Sequence, residues 1–412
     1  MKILWVKAGR LLPVDTGGKI RSFGILRHLA RQHDVTLLSY YGGKRDIDYE
    51  SAIAEQLPGA HTIFTAAPEG ALAQCVDYIL RLPSSAPYAV NKFTDPTVRE
   101  EVARRLNDSR LDIAVCDFLS ASLNFPKQSP TPVVLFQHNV ETMLWCRMAA
   151  TEKSPLRKLS YSIEARKMEA YETQALRRFP HIIAVSEHDG NEMLTLSPGC
   201  RITVVPTGVD TEQYAVVPSA PGDPPLIVFT GSMDWEPNID AVEYFCAEIW
   251  PQILASFPTA RFQIVGRSPH PRVQRLVSSS VQVTGTVPSV SDYLRWATVV
   301  IVPLRIGGGT RLKIFEAMAM AKALVSTSIG AEGLQVTNGR DILIADDAPS
   351  FAASILELLR DRELRRNYEQ NAAQLAARFD WSRIAQRFAD VLQQVVTKSS
   401  RTGQPGTPVL PV

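Results

Sequence analysis

The chain has 412 residues, 45% of them hydrophobic and 21% charged, with a formal net charge of +2. This composition is typical of a globular protein, the length favours two domains over one, and the small net charge gives no support to nucleic-acid binding. The cysteines lie far apart without the spacing of a zinc site, and neither a secretory leader nor an apolar run of about 18 residues is found. We therefore expect a cytoplasmic protein.

Short apolar runs alternate with segments of helical periodicity along most of the sequence. Strands are predicted in the first half at Ile3–Ala8, Val35–Tyr40, Ile113–Asp117, Val133–His138, Ile182–Ser186 and Ile202–Pro206. They are predicted in the second half at Leu226–Gly231, Phe262–Gly266, Val281–Gly285, Val299–Leu304, Leu324–Thr327 and Ile342–Ala345. Continuous apolar runs indicate strands that are buried on both faces, as in parallel sheets covered by helices.

A proline-rich segment separates the two groups of strands. Residues 217–225 read VPSAPGDPP, which is typical of a linker. The sequence therefore predicts two doubly wound α/β domains, at 1–216 and 226–380, on either side of this linker. Residues 398–412 are rich in Ser, Thr, Gly and Pro and are predicted to form a disordered tail.

Several chemically distinctive residues follow predicted strands. In the first half these are Gly17, Gly18, His138, Asn139 and Ser186, and in the second half Gly231, Ser232, Gly266, Arg267 and Gly307–Gly309. Asp117 also ends a strand and is interpreted as a helix cap. Ligands of doubly wound sheets bind at the carboxyl ends of the strands. We therefore expect an active site in a cleft that the two domains face.

The most informative segment is Gly307–Ala319, where three glycines lead from a buried strand into a helix. Glycines allow backbone N–H groups to approach a ligand, and a helix N-terminus carries a partial positive charge, so that phosphate is the usual occupant. Arg311 and Lys313 would add full charges, and Glu316 would accept hydrogen bonds from a sugar. The backbone groups predicted to bind the diphosphate belong to Gly308, Gly309 and Thr310.

A long polar helix is predicted over residues 154–179. Its cations are Arg157, Lys158, Arg166, Lys167, Arg177 and Arg178. Glutamates alternate with them, which favours a solvated helix in which opposite charges pair. The alternative is that the basic region 157–178 is a peripheral docking face for an anionic membrane. The sequence leaves both interpretations open.

Eight short segments follow one another along the chain in a characteristic order and spacing. They are Thr16-Gly17-Gly18, Gln137-His138-Asn139, Ala184-Val185-Ser186-Glu187, Val205–Asp210, Phe229–Trp235, Ile264-Val265-Gly266, Val283–Val287 and Gly307–Ala319. Together they resemble the retaining glycosyltransferases of family 4, which have the GT-B fold. Within that family the chain is most similar to bacterial enzymes that build exopolysaccharides.

This resemblance implies roles for individual residues. Glu316 matches the second glutamate of the family's paired-glutamate motif and would bind the donor ribose. Gly17 and Gly18 would approach the donor diphosphate, and His138 would lie near the transferred sugar and the acceptor. The turn at Val287 would hold the nucleotide base through backbone groups. The resemblance also implies that a C-terminal helix at about 381–397 packs back on the first domain.

The chain departs from the family pattern in two places. The first glutamate of the motif is replaced by Gly308. The loop Met233–Asn238, which follows the donor-binding candidate Gly231 and ends at the candidate Asn238, lacks the usual arginine and lysine. Arg311 and Lys313 could supply the missing charge. These departures keep open the alternative of a non-catalytic GT-B partner or regulatory subunit.

The resemblance implies a retaining, metal-independent glycosyltransferase of polysaccharide biosynthesis, located in the cytoplasm or at the inner face of the plasma membrane. Its substrates would be a nucleotide-diphosphate sugar and a glycan or polyprenyl-linked acceptor, with no cofactor and no metal. Asp46-Ile47-Asp48 has the form of a metal-binding motif but is interpreted as a solvated loop. A nucleotide-sugar epimerase on the same architecture is a further alternative.

Overall fold

The computed structural model describes residues 1–65, 67–68, 70–152, 154–216, 224–306 and 312–402. The chain divides into two compact units, the first comprising Met1–Pro206 and the residues from Ile384 on, and the second Thr207–Arg383. This boundary precedes the predicted linker. The reason is that the backbone of Val209 pairs with that of Asp380, so the segment after Pro206 packs within the second unit.

The first unit contains seven parallel strands in the order β3-β2-β1-β4-β5-β6-β7. Their bounds are β1 Lys2–Ala8, β2 Asp34–Tyr41, β3 His61–Phe64, β4 Ile113–Asp117, β5 Val133–Phe136, β6 His181–Ala184 and β7 Ile202–Val204. Helices are α1 Gly17–Leu29, α2 Ile47–Gln56, α3 Ala71–Arg81, α4 Tyr88–Asn91, α5 Pro96–Leu106, α6 Glu141–Thr151, α7 Pro155–Arg178 and α8 Glu187–Leu196. The central strands are fully buried because helices cover the sheet.

The second unit contains six parallel strands in the order β10-β9-β8-β11-β12-β13. Their bounds are β8 Leu226–Thr230, β9 Arg261–Val265, β10 Val281–Val283, β11 Val299–Val302, β12 Leu324–Ser326 and β13 Leu343–Ile344. The helices are α9 Glu236–Tyr244, α10 Trp250–Ser256, α11 Pro271–Gln274, α12 Ser291–Trp296, α13 Leu312–Ala319, α14 Ala348–Arg360 and α15 Arg362–Ala376.

The last helix, α16 Trp381–Thr402, contributes an aromatic side chain to the core of the first unit. The ring of Phe388 lies 5.4 Å from that of Trp5 and 5.1 Å from that of Phe136. The helix also shows that the predicted tail began too early, because 398–402 are helical. Residues 403–412 lie outside the described part of the chain.

Each predicted strand is present, and the prediction of two doubly wound α/β domains is confirmed. The strand that the sequence did not reveal is β3, a short edge strand whose residues are exposed or half-buried and therefore lack a continuous apolar run. Strand order reverses between β1 and β4 and between β8 and β11. In doubly wound sheets, ligands bind at the carboxyl ends of the strands at such positions.

Helix α7 is not the solvated helix that its alternating charges favoured. Glu164 and Glu172 are buried, and each accepts hydrogen bonds from distant backbone amides, although Glu164 also lies 4.0 Å from Lys167 Nζ along the helix. Met168 and Leu176 are buried on the same helix. The alternation of glutamates with cations led to the wrong prediction, because a glutamate that caps another helix can occupy the same position in the sequence as one that faces solvent.

The segment Asp46-Ile47-Asp48 is not a solvated loop either. Asp46 caps helix α2 by accepting a hydrogen bond from the backbone N–H of Tyr49, and its other carboxylate oxygen lies 2.7 Å from Arg10 Nη1. Ile47 and Asp48 begin the helix. The acidic residue is therefore explained by helix capping.

Candidate active site

Asp117 lies at the carboxyl end of β4 and is not a helix cap, so that interpretation of the sequence was wrong. Its side chain is buried, and Oδ2 accepts a hydrogen bond from Trp5 Nε1 at 2.8 Å and one from Lys7 Nζ at 3.1 Å. Its second oxygen, Oδ1, lies 2.9 Å from His138 Nε2. Lys7 stands opposite Asp117 in the register of β1 and β4, so this cluster lies where the strand order reverses.

The charges in this cluster define the chemistry of His138. Burial raises the pKa of Asp117, but Lys7 and His138 more than offset this effect and hold that pKa below its usual range. Burial lowers the pKa of His138 to about 4, although Asp117 acts in the opposite direction. The imidazole is therefore neutral at neutral pH. Because Nε2 faces a carboxylate, it carries the proton, which leaves Nδ1 as a hydrogen-bond acceptor.

The structure brings Gly18 and His138 together. A Cβ at Gly18 would lie only 3.1 Å from His138 Nδ1, so glycine leaves room for the imidazole. Gly17 and Gly18 begin helix α1. The Ser22 hydroxyl, one turn later, donates to the Gly18 carbonyl at 2.9 Å and accepts from Lys7 Nζ at 3.0 Å.

A buried carboxylate holds the segment that carries His138. Glu172 on α7 accepts hydrogen bonds from Gln137 Nε2 at 2.9 Å, from the amide of Glu141 at 3.1 Å and from the amide of Thr142 at 2.8 Å. The residues on both sides of His138 are therefore anchored to α7. The sequence offered no signal for this role, since Glu172 is distant along the chain.

Glu141, at the start of α6, lies beside this carboxylate. Burial raises the pKa of Glu141 to about 7, and the charge of Glu172 acts in the same direction. Burial also raises the pKa of Glu172 itself. Two neighbouring carboxyl groups are thus shifted toward the protonated form in the folded protein.

This arrangement predicts that Glu141 contributes a fall in the free energy of unfolding as pH rises from about 4.5 to about 7, opposed by His138, whose lowered pKa acts in the other direction. In this window folded Glu141 binds a proton that the unfolded chain has lost, so its stabilising contribution is complete at lower pH and is lost at higher pH. Glu141→Gln should remove up to about 3 kcal/mol of that change. Urea unfolding across this pH range measures it. Glu100→Gln, at an exposed position of α5, should follow the wild-type profile, and an unchanged Glu141→Gln profile would contradict the prediction.

In the second unit, three predicted donor-binding residues meet at the carboxyl ends of β8 and β11. Lys313 Nζ donates to Asn238 Oδ1 at 3.0 Å and lies 4.1 Å from the centroid of the Phe229 ring. Asn238 Nδ2 in turn donates to the carbonyl of Ser232 at 2.9 Å. A Cβ at Gly231 would approach Lys313 Nζ to 2.8 Å, so glycine is needed for this contact.

The loop after β8 receives a cation that the sequence analysis did not assign to it. Arg267 follows β9, and its Nε donates to Ser232 Oγ at 2.8 Å. The two strand ends lie so close that a Cβ at Gly266 would fall 1.6 Å from the carbonyl oxygen of Gly231. Arg267 therefore supplies part of the positive charge that is missing from Met233–Asn238. It can do so because β9 lies next to β8 in the sheet.

Glu316 lies one turn after Lys313 and contacts a residue that the sequence analysis missed. Tyr214 donates a hydrogen bond to the Glu316 carboxylate. Burial raises the pKa of Glu316, while this hydrogen bond and the charge of Lys313 act in the opposite direction. Burial and the Glu316 charge also raise the pKa of Tyr214. The sequence did not indicate this contact, because Tyr214 and Glu316 are far apart in the chain and share no local motif.

Of the remaining predicted residues, only Val287 lies in the described part of the chain, and it is not part of these clusters. Val287 is half-buried in the turn after β10. The predicted site residues Gly308, Gly309, Thr310 and Arg311 lie outside the described residues. Among the described residues, no three His, Cys, Asp or Glu side chains are grouped so that they could hold a metal ion.

Two family models match most of the chain. The model described as Glycosyltransferase Family 4 matches residues 17–213, and the model described as Glycosyl transferases group 1 matches residues 224–361. The chain belongs to glycosyltransferase family 4. The family predicted from the sequence motifs is therefore confirmed, and His138, Lys313 and Glu316 fall within the matched ranges.

Relatives and solved structures agree with this assignment. The chain is 27% identical over 207 residues to a phosphatidyl-myo-inositol mannosyltransferase of Mycolicibacterium smegmatis, a match that covers 48% of this chain and 53% of that protein. The chain thus spans about half the length of this curated relative. Anabaena Alr3699/HepE in complex with UDP has a TM-score of 0.64 at 16% identity, covering 96% of this chain and 100% of that one.

A second structural match is to sucrose-phosphate synthase of Thermosynechococcus elongatus. The TM-score is 0.66 at 15% identity, and the match covers 97% of this chain and 100% of that one. At such identities the likeness concerns the fold. Together with the two parallel sheets, it confirms the predicted GT-B fold.

Proposed function

We propose that this protein is a retaining, metal-independent glycosyltransferase that moves a sugar from a nucleotide-diphosphate donor to a glycan or lipid-linked glycan. The observation that carries the proposal is the cluster of Gly231, Asn238 and Lys313 at the ends of β8 and β11, with Glu316 one turn further along α13. A fixed cation and a carboxylate at the position where the strand order reverses suit the diphosphate and the ribose of one ligand.

The ammonium group of Lys313 would act on the leaving group. As the bond between the anomeric carbon and the phosphate oxygen breaks, negative charge grows on the diphosphate. A cation held in advance by Asn238 and the buried Phe229 ring needs no reorganisation at that moment. It therefore stabilises the transition state more than the ground state.

Glu316 would bind the ribose of the donor. An ionised carboxylate accepts hydrogen bonds from both hydroxyls of a diol, and Tyr214 holds one side of this carboxylate by donating to it. The same contact limits the directions in which the side chain can turn. We therefore assign Tyr214 as a positioning residue for Glu316.

His138 would bind a hydroxyl of a sugar substrate through Nδ1, the acceptor that Asp117 leaves on the neutral ring. We propose front-face attack: the acceptor oxygen bonds to the anomeric carbon on the side from which the phosphate departs, and the acceptor proton passes to the leaving phosphate oxygen. This step retains the configuration and requires no separate general base. A neutral histidine suits hydroxyl binding because its unprotonated Nδ1 can accept a hydrogen bond from the hydroxyl.

We further propose a lipid-linked acceptor and a cytoplasmic enzyme at the inner face of the plasma membrane. The support is the name of a relative, phosphatidyl-myo-inositol mannosyltransferase, which describes transfer to a lipid. None of the helices in the described residues is long and apolar enough to cross a membrane. Access to a lipid-linked substrate would then depend on the protein surface.

Thermal unfolding with UDP, GDP, ADP and dTDP, each in EDTA, tests the proposal. A nucleotide at about a hundredfold over its Kd stabilises by about 2.7 kcal/mol, which raises the Tm by several degrees. We expect this shift with one nucleotide and its loss in Glu316→Gln, whereas Glu357→Gln, at an exposed position in the same unit, should keep it. Absence of any shift in the wild-type protein would instead favour a non-catalytic subunit.

A further inference from the structure

Helix α3 is oriented against the usual rule for surface helices. Asp77, Tyr78 and Arg81 are half-buried: Arg81 Nε donates to Asp77 at 2.8 Å, and Arg81 Nη1 donates to the carbonyl of Asn91 at 2.7 Å. Its large apolar side chains face solvent, with Leu72 85% exposed and Leu80 73% exposed. A helix gains stability by burying its apolar face, so this arrangement indicates that something outside the described chain covers it.

The start of helix α7 continues this apolar surface. Leu156 is 82% exposed and Leu159 60% exposed, on the same face of the helix. The two helices are joined, because the Tyr78 hydroxyl lies 2.8 Å from Ser160 Oγ. We use the term α3–α7 surface for Leu72, Val76, Ile79, Leu80, Leu156 and Leu159.

Exposed cations flank the leucine face in the first turn of α7. Arg157 and Lys158 are exposed and stand between Leu156 and Leu159 in the chain. Other cations of the predicted basic region have partners in the protein: Lys167 Nζ donates to the carbonyl of Leu82 at 2.6 Å, and Arg178 donates to carbonyls such as that of Phe125. Arg166 and Arg177 are also exposed, so the positive charge available to a ligand extends along α7 from its first turn.

We infer that the α3–α7 surface binds the face of a membrane that contains anionic lipids. Leucine and isoleucine side chains would enter the boundary between head groups and acyl chains, while Arg157 and Lys158 would contact the phosphates. A protein partner is favoured less, because the cores of protein interfaces are enriched in aromatic residues and methionine, and the α3–α7 surface contains neither. The inference rests on the lipid-linked acceptor of the proposed function and identifies the surface that reaches it.

Co-sedimentation with vesicles tests this assignment in the absence of donor and acceptor. The full chain should bind vesicles of phosphatidylglycerol and phosphatidylcholine and bind pure phosphatidylcholine at least tenfold less. Leu80→Glu/Leu156→Glu should reduce binding to the mixed vesicles about tenfold or more. Arg157→Ser/Lys158→Ser should also reduce it about tenfold and remove most of its salt dependence.

Two matched controls separate the surface from general effects of substitution. Val277→Glu replaces another exposed apolar side chain, 56% exposed in the second unit, and should bind as the wild type does. Arg31→Ser/Lys127→Ser removes two exposed cations elsewhere in the first unit and should also bind normally. All variants should retain the wild-type Tm, since the substituted side chains are exposed.

Three outcomes would overturn the inference. They are absence of wild-type binding to the mixed vesicles, binding that the leucine variant retains, and a dimer in sedimentation velocity that the leucine variant loses. The last would assign the surface to a second copy of the chain. Nucleotide-dependent Tm shifts are measured without lipid, so they report separately on the proposed function.

Discussion

Lys313→Ala should lower kcat by about 10²- to 10³-fold, the range typical of removing one preorganised donor from a developing anion. The physical reason is position: Lys313 Nζ is held 3.0 Å from Asn238 Oδ1 and over the buried ring of Phe229, at the end of β8. Because the charge on the diphosphate is larger in the transition state than in the bound substrate, the loss should appear in kcat more than in KM. Initial rates with the nucleotide sugar identified by thermal unfolding measure it.

A matched variant distinguishes this effect from loss of a positive charge in general. Arg360→Ala removes an exposed cation from α14 of the same unit and should leave kcat within twofold of wild type. Lys313→Arg should recover little, because the space beside Gly231 fits a compact ammonium: a Cβ there would already be 2.8 Å from Nζ. Wild-type kcat in Lys313→Ala would refute the assignment of this residue to the leaving group.

Asp117→Asn should lower kcat about 10- to 100-fold by reversing the proton on His138. Trp5 Nε1 and Lys7 Nζ both donate to one oxygen of this side chain, so the amide oxygen of asparagine must stay on their side. Its NH₂ group then faces His138 Nε2 and must donate to it. The imidazole proton moves to Nδ1, which can no longer accept a hydroxyl proton.

The same substitution should also destabilise the protein. It leaves Lys7 buried without a counter-charge, which typically costs about 3–5 kcal/mol of unfolding free energy. Lys7→Met/Asp117→Asn removes that charge and should recover most of the stability but not kcat. Thermal unfolding, initial rates and the ¹⁵N shifts of the His138 ring measure the three effects. Recovery of kcat together with stability would show that Asp117 acts only through the fold.

The sequence by itself determined the type and order of most elements. Continuous apolar runs identify each buried strand because burial on both faces demands apolar side chains at every position, whatever the strand order. The same locality explains Lys313 and Glu316: one helical turn separates them, so their spacing alone places them on one side of α13. Local sequence patterns are sufficient to predict a feature wherever that feature is caused by residues close together in the chain.

Only the tertiary structure decided which distant side chains meet. Asp117 looks like any polar residue after a strand, and its role follows from the register that sets it opposite Lys7. Glu172 and Tyr214 likewise act on residues that only the fold brings near. Helix α3 makes the same point, because an apolar stripe has one periodicity whether it faces the core or solvent. Contacts between side chains that are distant in sequence depend on strand order and helix packing, and no local sequence pattern encodes these.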